Sequence, residues 1–398
     1  MDRLERADHL IDPVAGARLL GPAIAAASDE IERTRRLPPA LLSALHDARL
    51  FRLLLPRSVG GEEVTPGIYM ESVEEVARHD ASVAWNLFVG NSSALVGAYI
   101  ALDIAREIWR DPHTVVSWGP PNEARARAVP GGYRITGRWD FASGCRAANW
   151  MGAHALVEEE NGGALRLNSY GRPGQRILLA PASQAVLLDT WDTIGLRGTA
   201  SDQFAVTDLF VPDGYSFSRD FSQPAFERRE PGALYRMSAM TCYEVGFAGV
   251  ALGIARGALD DFVETAKTKV PRGGKSPIRD STVVQTNLAQ AEIGVRTARA
   301  YLLQELARIW NDVSDGAALT IDHRIVIRGA STNAIHKARE AVDFAYNAAG
   351  ATAIFENHPL ERRFRDIHTV TQQLQGRLSH FETVGAWMMG ADADLTFV

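Results

Sequence analysis

The first hundred residues place apolar side chains three and four positions apart. "PALLSALHDARLFRLLLP" keeps this spacing up to Pro56, where a helix must stop. "PRSVGGEEVTPG" breaks the pattern, with Gly60 and Gly61 at positions that accept positive φ. The helical period resumes over 68–78. "SVAWNLFVGNSSALVGAYIAL" is apolar nearly all round, which predicts a buried helix. Near His113 the grammar changes. "TVVSWG", "GGYRITGRWDFASG", "NWMGAHALVEE", "ALRLNSYGR" and "RILLAPASQAVLLDTW" are short, β-branched or aromatic, and bounded by Gly, Pro and Asn, as strands are. "VPGGYRI" reads as a hairpin turn. "DTWDTIGLRGTASDQFAVTDLFVPDG" supplies the last strands of this region and its exit.

From about Pro231 helix returns. "CYEVGFAGVALGIARGALDDFVETAKTKV" carries small residues along one face. "VVQTNLAQAEIGVRTARAYLLQELARIWNDV", "IDHRIVIRGASTNAIHKAREAVDFAYNAAGA" and "ERRFRDIHTVTQQLQGRLSHFETVGAWMMG" follow. Long helices apolar on more than one face pack on each other and often on other subunits. The pattern divides the chain into an N-terminal helical domain (1–113), a middle β-barrel domain (114–230) and a C-terminal helical bundle (231–398). The fold class is α+β, mostly α.

Composition narrows the function. The chain has 398 residues, enough for two or three domains. A net charge of −6 gives no electrostatic support for nucleic-acid binding. No apolar run reads as a membrane span, and "MDRLERADHL" lacks a signal-peptide core, so a cytoplasmic protein is expected. Cys145 and Cys242 have no metal-ligand spacing, and neither do the ten histidines, so no metal is expected. There is no Gly-x-Ser-x-Gly motif. "GGKS" imitates a P-loop ending, but Lys269 stands where the upstream Gly is required and a helix precedes it.

Four motifs in order carry a resemblance. They are "LPRSVGGEEV", "GGYRITGRWDFASGCRAANW", "IGLRGTASDQFAVTDLFVP" and "NAAGATAIFENHPLERRFRDIHT". Over almost the whole chain they resemble the acyl-CoA dehydrogenase superfamily. "WDFASG", "GTASD" and "RDIHTVTQ" are more similar to its group D branch of two-component flavin-dependent monooxygenases. That resemblance implies an N-terminal helical domain, a middle β-barrel and a C-terminal four-helix bundle, assembled as a homotetramer. It implies reduced FAD or FMN supplied by a separate flavin reductase, O2 as co-substrate, and a small apolar, aromatic or amine substrate.

Chemistry separates the branches. An acyl-CoA dehydrogenase needs a carboxylate to remove the α-proton while flavin takes the hydride. The stretch after Arg365-Asp366 is "TQQLQG", with no carboxylate. The family's second base position falls on Tyr243, and Glu244 lies about 100° further round the helix. A dehydrogenase with a displaced base such as Glu244 remains an alternative, as does a non-catalytic flavin-binding relic. Members of the monooxygenase branch often carry His where this chain has Gln373. Gln can donate and accept hydrogen bonds but cannot exchange a proton near pH 7.

The resemblance also implies site residues. Trp118, Ser143 and Gly144 contact the flavin ring, with backbone N–H groups and the Ser hydroxyl at its carbonyl and N5 edge; the alternative is a core Trp and a turn Ser. Arg272 in "VPRGGKSPIRDS" serves the cofactor phosphates or belongs to a solvated loop, and Gln285 faces a neighbouring subunit's cofactor or caps a helix. Asn347 and Gly350 approach adenine or pyrophosphate, though Gly350 also suits a helix end. His368 and Thr371 reach flavin or are structural, and Arg365-Asp366 is a candidate ion pair. Gln373, Asn91 and Tyr243 line the substrate side; Asn91 could instead be a satisfied core amide.

Overall fold

The computed structural model describes residues 12–160, 162–168, 171–218 and 229–396. The opening ten residues, read above for targeting, lie outside this set, as do Ser169 and Tyr170 of one expected strand.

Five helices come first: α1 (Pro13–Thr34), α2 (Pro39–Asp47), α3 (Pro66–His79), α4 (Ala81–Ala94) and α5 (Leu102–Ile108). Side-chain caps start three of them: Asp12 accepts from Val14 N–H, Thr65 from Ile68 N–H and Asp80 from Val83 N–H. Every residue of α4 is buried, as its all-round apolar pattern requires. The helix expected to run to Leu102 ends earlier, in a 3₁₀ turn over Leu95–Ala98.

Eight strands follow: β1 (Val116–Trp118), β2 (Arg125–Val129), β3 (Gly132–Ala142), β4 (Trp150–Glu158), β5 (Gln175–Pro181), β6 (Val186–Leu188), β7 (Asp202–Pro212) and β8 (Ser216–Ser218). They form one sheet in the order β6-β7-β3-β2-β4-β5-β8, with β1 parallel to β4. The sheet coils on itself. Met151, Ala153, Leu178 and Ala180 of β4 and β5 share a core with Trp139, Phe204 and Val206 of β3 and β7. Among the described residues β6 and β8 are not paired, so this barrel-like sheet keeps an open seam. β3 runs antiparallel to β7, and its register slips between Trp139 and Ala142. A bulge turns the strand there.

The chain closes with α6 (Ala233–Arg236), α7 (Ala239–Thr268), α8 (Thr282–Ser314), α9 (Ile321–Ala349), α10 (Pro359–Thr371) and α11 (Ser379–Met388). By length and composition α7 could cross a membrane, contrary to the expectation that no run comes close. It is instead the central buried helix, packed on α3, α4, α9 and α10. Its small face lets α3 approach. A Cβ on Gly253 would sit 2.2 Å from the Glu74 carbonyl oxygen, and one on Gly249 would sit 2.9 Å from that of Met70.

Gly253→Ala therefore forces α3 and α7 apart. It should lower stability by about 1–3 kcal/mol in urea titration. Gly385→Ala in α11, where a Cβ meets nothing within 4 Å, should be neutral or gain up to about 1 kcal/mol.

Candidate active site

The β3 bulge builds the first wall of the site. It leaves Phe141 at φ 56° and 59% exposed, an expensive conformation for an aromatic residue at a sheet end. Ser143 and Gly144 (φ 75°) follow directly. β1 is fixed alongside, since the Ser117 hydroxyl donates to the Ser143 carbonyl at 2.8 Å. Gly119 abuts the Asp140 carbonyl, where any Cβ would clash at 2.2 Å. These two contacts bring Trp118 to the Ser143 turn.

The Ser143 hydroxyl, almost fully buried, accepts from Trp85 Nε1 at 3.0 Å and meets the Ser201 hydroxyl at 2.7 Å. Ser201 meets Thr199 Oγ1 at 2.8 Å, and Thr199 donates to the Leu196 carbonyl. Proton counting gives this chain two states. The single Ser201 proton goes to Thr199 or to Ser143, and only in the second does Ser143 keep its own proton to offer outward. The backbone expectation is corrected. The N–H groups of Ser143 and Gly144 are already spent on the Phe141 and Thr199 carbonyls, because the turn must satisfy its own buried donors.

Trp85 also belongs to an aromatic box of four mutually packed rings. Its ring lies 5.1 Å from Phe88 and 4.7 Å from Phe247, both edge-on. Tyr243 lies 5.4 Å from Phe88 and 5.3 Å from Phe247. The four rings pack on one another in the core, with Tyr243 the partly buried member. The sequence reading named Tyr243 but not Trp85, Phe88, Phe247 or Phe141. The signal was present in aromatics four apart on α7 and three apart on α4, but nothing in the sequence paired the two helices.

The far end of the site is polar. Gln373 follows α10, and its Oε1 accepts the Gln375 N–H at 2.7 Å. The amide is thereby oriented, with Nε2 carrying no hydrogen bond among the described residues. Gln375 is buried; its side chain donates to Met240 Sδ and accepts from Arg328. Arg328 is also buried and ion-paired to Glu244. Burial pushes the Glu244 carboxyl up to about 8, against the pull of Arg328 and Arg324, and burial lowers Arg328. Glu244 Oε2 has no hydrogen-bond partner among the described residues.

Asn91 is a correction. Its Oδ1 accepts from the Leu53 and Leu54 N–H groups, and its Nδ2 donates to the Leu50 and Leu87 carbonyls. Three of these bonds brace the 50–54 turn and the fourth returns to its own helix, so nothing is left for a substrate. The candidate Arg365-Asp366 pair is corrected too. Arg365 pairs with Glu32 and Glu361, while Asp366 accepts the Leu196 N–H at 2.6 Å. His368 is held by Asp343 at 2.8 Å, and Thr371 donates to the His368 carbonyl. Asn347 donates to the Asp343 carbonyl, and Gln285 donates to the Arg279 carbonyl as a loop brace. Gly350 ends α9 at φ 64°. Arg272 is exposed on the α7–α8 loop, which touches the α9 end through Lys269 and the Ala349 carbonyl. Arg272, Gln285, Asn347 and Gly350 are thus exposed, apart from the ring-side group.

The residues present fit a flavin. An exposed aromatic, a hydroxyl with a switchable proton and a neighbouring Trp suit a flat, polar-edged ring. Beside the Ser143 turn, a cleft of about 310 Å³ is lined by Gly144, Asn86, Arg146, Thr199, Arg35 and Pro38.

Comparison with known proteins agrees. A family model described as "Acyl-CoA dehydrogenase, C-terminal domain" matches residues 245–375. The chain is 30% identical to indole-3-acetate monooxygenase of Pseudomonas putida, over 94% of this chain and 95% of that one. It is 27% identical to the oxygenase component of the FADH(2)-dependent resorcinol hydroxylase of a Rhizobium species, over 96% and 95%. The structure of XiaF from a Streptomyces species, in complex with FADH2 and glycerol, superposes with a TM-score of 0.86 at 26% identity, covering 97% of both chains.

Burial pushes the Asp366 carboxyl up to about 7, with Asp80 and Glu32 adding to it. A raised carboxylate keeps its proton in the native state while the unfolded chain loses it. Stability therefore falls as pH rises from about 4 to about 7 and is flat above. Asp366→Asn retains an acceptor for Leu196 and removes this decline. The difference between variant and wild type in urea titrations should grow by on the order of 1–2 kcal/mol across that window. A constant difference would contradict the assignment.

The aligned relatives, the fold and the ring-side residues give one conclusion: the chain belongs to the acyl-CoA dehydrogenase superfamily, in its branch of two-component flavin-dependent monooxygenases.

Proposed function

We propose that the protein is the oxygenase component that hydroxylates or otherwise oxygenates a small aromatic substrate held in the Trp85–Phe88–Tyr243–Phe247 box. The observation that carries this reading is the Trp85–Ser143 hydrogen bond, which joins the box directly to the ring-side hydroxyl. The relatives named for indole-3-acetate and resorcinol support an aromatic guest. Reduced flavin, when bound, supplies the electrons that activate O2. Phe141, Trp118 and Ser143 hold its ring, and the outward state of the Ser143 proton provides a donor there. The buried faces of α4 and α7 exclude water from the reacting atoms. Gln373 orients the substrate through its amide nitrogen and transfers no proton.

We favour FAD, since two of the compared proteins are named with FADH2. A separate reductase delivers it. Exposed apolar residues on α8 (Val283, Ile293, Tyr301) and at the end of α11 (Met388 and the following Met389) support coverage by further copies, and we propose a homotetramer in the cytoplasm. The dehydrogenase alternative is disfavoured. The turn after α10 has no carboxylate, and Glu244 is committed to Arg328.

The test supplies reduced FAD and ¹⁸O₂ with indole or phenol substrates. Product should carry ¹⁸O. In Ser143→Ala, product should fall at least about tenfold while oxygen is still consumed and released as hydrogen peroxide. Anaerobic bleaching of bound FAD by an acyl-CoA, without any oxygenated product, would overturn the reading. Gln373→His should lower product formation; a gain would mark a decayed enzyme instead.

A further inference from the structure

The cleft beside the Ser143 turn has no part in this mechanism. It measures about 310 Å³, at the lower end of the range for small-molecule pockets. The α1–α2 linker, turned at Arg35 (φ 52°), lines it with Leu37 and Pro38. Two more turns line it through Gly144 (φ 75°) and Ala200 (φ 40°). Left-handed backbone at a non-glycine residue persists where the surroundings fix it, and both Arg35 and Ala200 belong to this one cleft.

Asn86 of α4 lines the cleft and is only 5% exposed. Its Nδ2 donates to the Gly198 carbonyl at 3.2 Å. That bond fixes the amide, since the reverse orientation would set oxygen against oxygen. Asn86 Oδ1 is then buried without a hydrogen-bond partner among the described residues, and no other side chain lining the cleft leaves a buried polar atom in that state. Gly144 keeps the approach open, since even a Cβ there would stand 3.4 Å from Oδ1. A buried acceptor left unmade is costly and favours the arrival of a donor. The other groups call for no charge. Arg35 pairs with Asp189, and Arg146 pairs with Asp189 and Asp202. The Thr199 hydroxyl donates to the Leu196 carbonyl, and the exposed Glu30 and Arg36 are opposite in sign. Leu42 and Ala147 add apolar surface.

We infer that the cleft is a second small-molecule site, which takes a neutral guest with an apolar body and one N–H or O–H donor, given to Asn86 Oδ1. Phenols and indoles have this chemistry. Asn86 follows Trp85 and Gly144 follows Ser143, so the guest lies one residue from each partner of the Trp85–Ser143 bond. The cleft is thereby an outer subsite for the class of molecule that the oxygenase acts on. That role rests on the oxygenase reading; the binding does not.

The test is calorimetric titration of the purified protein with indole and with benzofuran, which has the same shape and no N–H. Wild type should bind indole at least about tenfold more tightly. Asn86→Ala should bring indole down to the benzofuran level and leave benzofuran unchanged. Leu42→Trp, which fills the cleft and leaves Asn86 in place, should abolish binding of both. Equal affinity for the two in wild type, binding of neither, or indole binding that survives in folded Leu42→Trp would overturn the inference. If the variants do not fold, a crystal structure of wild type with indole decides: the indole nitrogen should lie within hydrogen-bonding distance of Asn86 Oδ1, and indole lodged elsewhere overturns the site. Failure of the oxygenase reading is separable. Binding in the cleft without ¹⁸O incorporation contradicts the reaction and leaves the site standing, whereas indole oxygenation with unchanged kcat/KM in Leu42→Trp contradicts the outer subsite.

Discussion

The segment from Leu196 to Asp202 is where the helical and sheet parts of the chain are bolted together by buried hydrogen bonds. Leu196 gives its N–H to Asp366 of α10, and its carbonyl takes Trp191 Nε1 and the Thr199 hydroxyl. Thr199 and Ala200 hold the Ser143 turn through Gly144 N–H and Cys145 Sγ. Asp202 is buried, accepts the Thr190 and Trp191 N–H groups and pairs with Arg146. Each of these groups would cost on the order of 1–3 kcal/mol if left unpaired. The backbone accepts two non-glycine residues at positive φ, Leu196 and Ala200, to make the set complete. Relative motion of sheet and helices would break several of these bonds at once, so the Ser143 turn faces α4 in one fixed relation.

From that junction outward the candidate site has a gradient. The Ser143 hydroxyl and Trp85 form a polar contact at its inner end. The aromatic box fills the middle. The Glu244–Arg328–Gln375 set closes the far end with charge. The three layers come from α4, α7, α9 and the turn after α10, helices that meet because small residues on α7 permit close packing. Gly246 shows how tight this is: a Cβ there would sit 2.6 Å from the Tyr69 hydroxyl and 2.8 Å from the Phe88 ring. The packing of α7 and the shape of the box are therefore one property.

Much of the architecture was legible in the sequence because it follows from period and punctuation. Helical spacing, the shift to short strands at His113 and the return to helix near Pro231 need no tertiary knowledge. The Ser143 turn was legible through motif order. What escaped were features that exist only across elements. Asn91 looked like a polar residue awaiting a substrate, but it is saturated by backbone groups forty residues away. Asp366 follows Arg365 in the chain, yet the two side chains serve different neighbours. Glu244 lies about 100° round the helix from Tyr243. The sequence offered no sign that Arg328, 84 positions on, would meet it there. Phe141 stood within a quoted motif, but its outward aim depends on a bulge that alternation does not encode.

The central claim is that the Ser143 turn is the meeting point of flavin ring and aromatic box. A crystal structure of the protein with reduced FAD, grown without oxygen, tests it most directly. The account predicts the ring edge within hydrogen-bonding reach of Ser143 Oγ, with Phe141 and Trp118 alongside and Trp85 between ring and box. A ring lodged instead in the cleft of Arg35, Pro38 and Asn86 would contradict it.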